Sequence, residues 1–176
     1  MADRVLEGVN VQTTVVLQDG AEVELRPLEP VERERLVRLF RRLSPESVYH
    51  RFLSPIQDPS EAGLDRLLDL DHQDREAVAA VVGDEVVGVA RYFRAPGETS
   101  ADLAVLVEDA WQGRGLSRFL IDRLTELARR RGIEQFTATI LSENRPAIRM
   151  VRRSFPAATF RLDGTEVDAE MPLSPG

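Results

Sequence analysis

Two spacings of apolar residues divide the chain into strands and helices. Short apolar or alternating runs bounded by turn residues predict strands, and apolar residues three or four positions apart predict amphipathic helices. The predicted strands are Val11–Leu17, Ala21–Leu25, Ala77–Val82, Val86–Arg94, Thr99–Val107, Phe136–Leu141, Thr159–Leu162 and Val167–Met171. The predicted helices are Pro30–Leu43, Ser60–Leu70, Gly115–Arg131 and Pro146–Ser154.

The order of these elements predicts a mixed sheet. Short turns at Gln18–Gly20, Gly83–Glu85 and Asp163–Gly164 join neighbouring strands, which must then run antiparallel. The long helix from Gly115 joins two strands by a crossover, so these two strands must be parallel and the connection right-handed. We therefore expect an α/β (α+β) fold with helices on both faces of the sheet.

The composition excludes several classes of function. The 176 residues include no cysteine and no lysine, because all 23 basic residues are arginine, and only two are histidine. Disulfides, thiolate metal sites, Schiff-base lysines and the lysine of a P-loop are therefore absent, and we expect no metal cofactor. A net charge of −7 argues against a nucleic-acid partner. The sequence shows no apolar run of ~20 residues and no signal peptide, so we expect no membrane partner and a cytoplasmic location.

The charge is distributed unevenly along the chain. Residues 1–110 carry 12 arginines and 22 acidic residues, whereas residues 111–176 carry 11 arginines and 8 acidic residues. This asymmetry indicates that an anionic ligand would bind the second part of the chain. The alternative is that the arginines at helix ends only complement the helix dipoles.

A glycine-containing turn connects the strand Thr99–Val107 to the longest helix. Its sequence is Gln112-Gly113-Arg114-Gly115-Leu116-Ser117. Glycines permit a tight turn there, and the free amides of the first helical turn would face an anion such as a diphosphate, with charge added by Arg114 and Arg118. A dinucleotide fingerprint would need a third glycine, which this turn lacks.

The turn resembles the Q-x-x-G-x-G/A motif with which GCN5-related N-acetyltransferases (the GNAT family) hold the pyrophosphate of acetyl-CoA. Glu143–Met150 is similar to the next motif of that family. Leu43–Pro55 resembles the segment that precedes the acetyltransferase core in Pat-type protein lysine acetyltransferases. The resemblance implies a single GNAT domain over residues 1–176, with a core at about 10–172. It also implies a mixed, mostly antiparallel, twisted sheet with a splayed central strand pair.

The resemblance also implies roles for individual residues. Asp102 matches the position of a glutamate that acts as the base in Pat-like relatives, and we expect it to act through an ordered water, with Glu98 as the reserve candidate. The alternative for Asp102 is a solvated carboxylate at a strand end, and the alternative for Asn144 is a helix cap. Arg149, Arg152 and Arg153 are candidates for binding the 3′-phosphate of coenzyme A, and the alternative for at least two of them is a solvated basic face. The expected acetyl-CoA-binding residues are Val105, Val107, Gln112, Gly113, Arg114, Gly115, Leu116, Ser117 and Asn144.

Three positions depart from the family pattern. Ser117 stands where glycine or alanine is usual, Asp102 where the relatives have glutamate, and Val151 where many members have the tyrosine that protonates the leaving thiolate. The leading interpretation is an N-acetyltransferase, a monomer or homodimer, whose partners are acetyl-CoA and a primary amine such as a protein lysine. The alternatives are an acyl-CoA-binding module without activity and an acetyltransferase for a small-molecule amine.

Overall fold

The computed structural model describes residues 12–47 and 61–174, and these form one mixed sheet flanked by helices. Within this part of the chain the sheet has eight strands, which are β1 (Thr13–Val16), β2 (Glu22–Pro27), β3 (Arg75–Val82), β4 (Glu85–Phe93), β5 (Ser100–Val107), β6 (Gln135–Leu141), β7 (Thr159–Asp163) and β8 (Glu166–Pro172). Their order across the sheet is β1-β2-β3-β4-β5-β6-β8-β7. The helices are α1 (Arg33–Arg42), α2 (Glu61–Leu68), α3 (Leu116–Arg130) and α4 (Arg145–Ser154), with short 3₁₀ turns at Pro30–Glu32 and Asp109–Trp111.

The predicted elements are confirmed, with ends that differ by a few residues. All neighbouring strands pair antiparallel except β5 and β6, which are parallel because α3 crosses over between them. The segment Leu43–Pro55 lies within the described residues only as far as Ser47. None of the described helices is long and apolar enough to cross a membrane.

Helices cover both faces of the sheet, as predicted, and each face has its own hydrophobic core. The strand alternation sends Leu103 of β5 into the core beneath α3 and α4, together with Leu120 and Phe136. Leu106, three residues further along β5, packs into the second core with Leu39 of α1. Residues of β5 with odd numbers therefore face α3 and α4, and residues with even numbers face α1 and α2.

The two central strands diverge, which confirms the predicted splayed pair. β5 pairs with β4 from Asp102 to Val107, but it pairs with β6 only over Ser100–Asp102. Beyond Asp102 the strand β6 continues its pairing with β8 as far as Leu141. One edge of β5 is therefore free of a neighbouring strand from Leu103 onward, and this opening leads toward the start of α3.

Candidate active site

The turn between β5 and α3 exposes its backbone. Gly113 and Gly115 have φ values of 70° and 86°, the left-handed region that glycine adopts without steric cost. A Cβ at Gly113 would meet nothing within 4 Å, and at Gly115 the nearest atom would be Gln18 Nε2 at 3.9 Å. The space above this backbone therefore has room for a ligand such as the diphosphate of acetyl-CoA.

The first turn of α3 offers its amide groups to that space. Gly115 is the N-cap, no side chain caps the helix, and the first turn contains no acidic residue. The N–H groups of Leu116 and Ser117 have no earlier carbonyl within the helix to bind, and they lie at the positive end of its dipole. The buried side chain of Leu116 packs in the core beneath α3 and fixes this end of the helix.

Arg114 is held by two neighbours at the turn. Its Nε donates a hydrogen bond of 2.5 Å to Asp19 Oδ2, and its guanidinium stacks 4.0 Å from the ring centre of Trp111. The hydrogen bond from Arg114 holds the pKa of the Asp19 carboxyl below its usual value. The charge that Arg114 adds to the turn is therefore partly offset by Asp19, which lies on the turn between β1 and β2 and gives no signal in the sequence.

The segment after α1 is tied to the same turn. Gln112 Nε2 donates hydrogen bonds of 3.0 Å to Ser47 Oγ and to the Val107 carbonyl oxygen. The Ser44 N–H donates to Asp109 Oδ1 at 3.0 Å. Burial opposes ionisation of Asp109, but the hydrogen bonds from Ser44 and Ser47 outweigh it and keep the pKa of Asp109 below its usual value. Gln112 thus connects the strand end to the segment that follows α1.

The free edge of β5 presents the backbone of its odd-numbered residues. Glu108 directly follows β5, and its N–H donates a hydrogen bond of 2.9 Å to the Val87 carbonyl oxygen of β4. The even-numbered residues of β5 therefore direct their backbone polar groups toward β4. Because successive residues of a strand direct their polar groups to opposite sides, Val105 and Val107 direct theirs into the opening beside β6. Val107 accepts the bond from Gln112 there.

Asp102 lies where β5 and β6 separate. It belongs to the last pair of residues that joins these strands, opposite Thr137, whose hydroxyl donates a 2.6 Å hydrogen bond to Asp102 Oδ1. Its carboxylate is exposed and shares the α1 and α2 face with Ala104 and Leu106. At roughly 3.3 Å per residue, about 16 Å of strand separates it from Val107, so it is remote from the glycine turn. Glu98 is also exposed, in the loop before β5.

Asn144 is the N-cap of α4. Its Oδ1 accepts a hydrogen bond of 3.2 Å from the Ala147 N–H, and the residue is only 9% exposed. The structure therefore shows the helix cap that is the alternative interpretation of Asn144. The Nδ2 group makes no hydrogen bond to any described residue, so binding of pantetheine through this donor stays a prediction.

Val151 on α4 does not provide the acid that protonates the leaving thiolate in many members of the family. Val151 is 2% exposed and packs in the core beneath α3 and α4. Arg149, Arg152 and Arg153 are exposed, and Arg152 stacks on Phe160 at 5.1 Å. Their role toward the 3′-phosphate stays a prediction.

An acidic surface extends from Asp102 across the sheet. In the strand register, Thr137 pairs with Glu170 and Thr139 with Asp168, so these side chains share one face with Asp102. Asp168 accepts hydrogen bonds from Thr139 and from Arg161, and the Arg161 bond lowers the pKa of Asp168. The alternation of Glu166, Asp168 and Glu170 along β8 is the sequence signal that could have indicated this surface.

Comparison with known proteins agrees with this architecture. The Acetyltransferase (GNAT) family model matches residues 35–155. An acetyltransferase of Pseudomonas aeruginosa is 38% identical over 133 residues, which is 73% of this chain and 72% of the relative. The acetyltransferase Pat of Mycolicibacterium smegmatis is 31% identical over 164 residues; the match covers 92% of this chain and 49% of the relative, so the chain spans about half the length of Pat.

Comparison with solved structures indicates the same fold. The GNAT domain of S. lividans PAT superposes with a TM-score of 0.86 at 33% identity, covering 92% of this chain and 97% of that one. A cAMP-binding acyltransferase from Mycobacterium smegmatis superposes with a TM-score of 0.68 at 27% identity, covering 95% of this chain and 48% of that one. The splayed strands and the uncapped glycine turn thus occur in a chain that belongs to the GNAT family of acetyltransferases.

Proposed function

We propose that this protein transfers the acetyl group of acetyl-CoA to a primary amine by direct attack in a ternary complex. The observation that carries the proposal is the divergence of β5 from β6 at Asp102. It places a free strand edge between an exposed carboxylate at one end and an uncapped helix start at the other.

The donor would bind along the free edge of β5. The amides of Gly113, Gly115, Leu116 and Ser117 would hold the diphosphate, because they are open and lie at the positive end of α3. The polar backbone groups of Val105 and Val107 would bind the pantetheine arm and the thioester oxygen, and hydrogen bonds to that oxygen stabilise the charge that develops during attack.

Asp102 would remove the proton from the acceptor. An amine of the lysine type has a pKa of about 10.4, so it is protonated at neutral pH and must lose a proton before it attacks. The hydrogen bond from Thr137 orients one oxygen of the Asp102 carboxylate and leaves the other for an ordered water. The acidic surface formed with Asp168 and Glu170 would attract the ammonium form of the acceptor.

The acceptor is left open between the side chain of a protein lysine, which the resemblance to Pat-type enzymes suggests, and a small-molecule amine. The experiment measures the release of free coenzyme A during incubation of the protein with acetyl-CoA and a panel of lysine peptides and small amines. The proposal predicts amine-dependent release and a rise in thermal stability with acetyl-CoA, since a ligand that binds only the folded state stabilises it. If millimolar acetyl-CoA does not raise the melting temperature, acetyl-CoA does not bind and the proposal is contradicted.

A binding module without activity is the second candidate. The burial of Val151 favours it, because this position supplies no acid for the leaving thiolate. A binding module would show the thermal shift without amine-dependent release of coenzyme A, whereas an acetyltransferase would show both.

A further inference from the structure

One arginine of the sheet lacks an acidic partner. Arg91 lies in β4 and is half-buried, yet its guanidinium forms no hydrogen bond or ion pair within the described part of the chain. Burial lowers the pKa of Arg91 below its usual value, and no neighbouring carboxylate counters this effect.

Other arginines near this face have partners. Arg26 pairs with Glu32 at 2.6 Å, and Arg38 and Arg42 pair with Glu85 at 3.0 and 2.8 Å. Arg91 is not among the described residues that have a fully buried polar atom without a partner, so water reaches its guanidinium. This guanidinium is therefore unpaired by the chain and accessible to an anion from outside it.

Arg91 lies near Asp102, on the face of the sheet that the proposed acceptor would approach. Its register partners are Ala77 on β3 and Ala104 on β5, and these apolar side chains have no group that could bind the guanidinium. Asp102 is two residues from Ala104 on the same face, so Arg91 and Asp102 are diagonal neighbours with Cβ atoms ~7 Å apart. The two charged groups are close but make no ion pair with each other.

We propose that Arg91 binds a carboxylate carried by the acceptor, and that the acceptor is an amino acid whose amine approaches Asp102. This inference rests on the proposed function, because it takes the amine to be the attacking group. The guanidinium has a planar pair of donors that matches the two oxygens of a carboxylate. A zwitterion would thus place its ammonium toward the acidic surface and its carboxylate on Arg91.

The test compares free amino acids with their carboxamides, which keep the shape but lack the negative charge, at equal concentrations of the unprotonated amine. With the intact protein we expect kcat/KM for coenzyme A release to be higher for the acids by about tenfold or more, the scale of a hydrogen bond to a charged group. Arg91→Gln should reduce that preference to near unity and leave the acetyl-CoA dissociation constant unchanged. The control is Arg35→Gln, which alters a part-buried arginine whose guanidinium is bonded to Asp84, and it should leave the preference for the acids unchanged.

A binding measurement separates this inference from the proposed function. Calorimetric titration of N-acetyl amino acids into the complex with coenzyme A should detect binding to the intact protein, weakened about tenfold or more in Arg91→Gln. The inference is overturned if the carboxamides serve as well as the acids, if lysine peptides are preferred over both, or if no N-acetyl amino acid binds. It is also overturned if Arg91→Gln alters only the choice between acetyl-CoA and succinyl-CoA, which would place the anion on the donor. Binding of N-acetyl amino acids without any release of coenzyme A would instead contradict the proposed function.

Discussion

The Thr137 hydroxyl donates a 2.6 Å hydrogen bond to the Asp102 carboxylate at the last pair of residues that joins β5 to β6. The bond crosses the point at which the central strands separate, so it fixes one carboxylate oxygen where the opening begins. An acceptor amine that reaches the opening from the α1 and α2 face would meet this carboxylate. In the proposed function, opposite ends of one strand would thus serve the two substrates, with Asp102 at the acceptor end and the glycine turn at the donor end.

Replacement of Gly115 by valine should abolish acetyl-CoA binding. A β-branched side chain would fill the open space over the turn, and the φ of 86° would strain any residue with a Cβ. The expected result is loss of the thermal shift caused by acetyl-CoA. The control is Gly164→Val, because Gly164 has a φ of 61° and an equally open surrounding on the distant β7–β8 turn. If both variants keep the shift, the diphosphate does not bind at this turn.

Asn144 should have two separable roles. Asn144→Ala removes the acceptor that caps α4 and should lower the free energy of unfolding by about 1 kcal/mol in denaturant titrations. Asn144→Asp keeps the capping oxygen but removes the Nδ2 donor, so it should retain stability and weaken acetyl-CoA binding if that donor contacts pantetheine. Unchanged acetyl-CoA affinity in the aspartate variant would leave Asn144 with the cap alone.

Asp19 should weaken donor binding by neutralising Arg114. Asp19→Asn should therefore lower the acetyl-CoA dissociation constant at low ionic strength, and Arg114→Gln should raise it. The Asp19 pKa is depressed in the folded state, so the ion pair is complete above the usual pKa of 3.8 and is lost as the pH falls through the lowered value. Calorimetry at two salt concentrations measures the effect; a gain in affinity that does not shrink with added salt would contradict it.

The protein should not acetylate its own side-chain amines. Its sequence contains no lysine, so mass spectrometry after long incubation with acetyl-CoA can find an amide only at the N-terminal amine. Acetylation of the protein's own lysines therefore cannot contribute to the signal in screens for acceptors. An acetyl group on any other residue would be an ester and would indicate a hydroxyl acceptor.

The sequence predicts those parts of the fold and site that depend on local pattern. The two spacings of apolar residues are sufficient to predict the strands and helices, and the glycine turn is recognisable because its residues are consecutive. Contacts between distant segments gave no such signal: Asp19 meets Arg114 across 95 residues, and Ser47 meets Gln112 across 65. The lack of a partner at Arg91 could be recognised only from the side-chain contacts of the folded chain.

The release of coenzyme A by the intact protein and by Asp102→Asn, measured between pH 7 and 9 with saturating acetyl-CoA and an active acceptor, tests the central claim most directly. Asparagine keeps the shape of the side chain and removes the base. We expect turnover to fall by ~10²-fold at pH 7, with an unchanged acetyl-CoA dissociation constant, and the loss to shrink at higher pH as the amine deprotonates unaided. Full activity of Asp102→Asn across this range would show that Asp102 is not the base and would transfer the role to Glu98 or solvent.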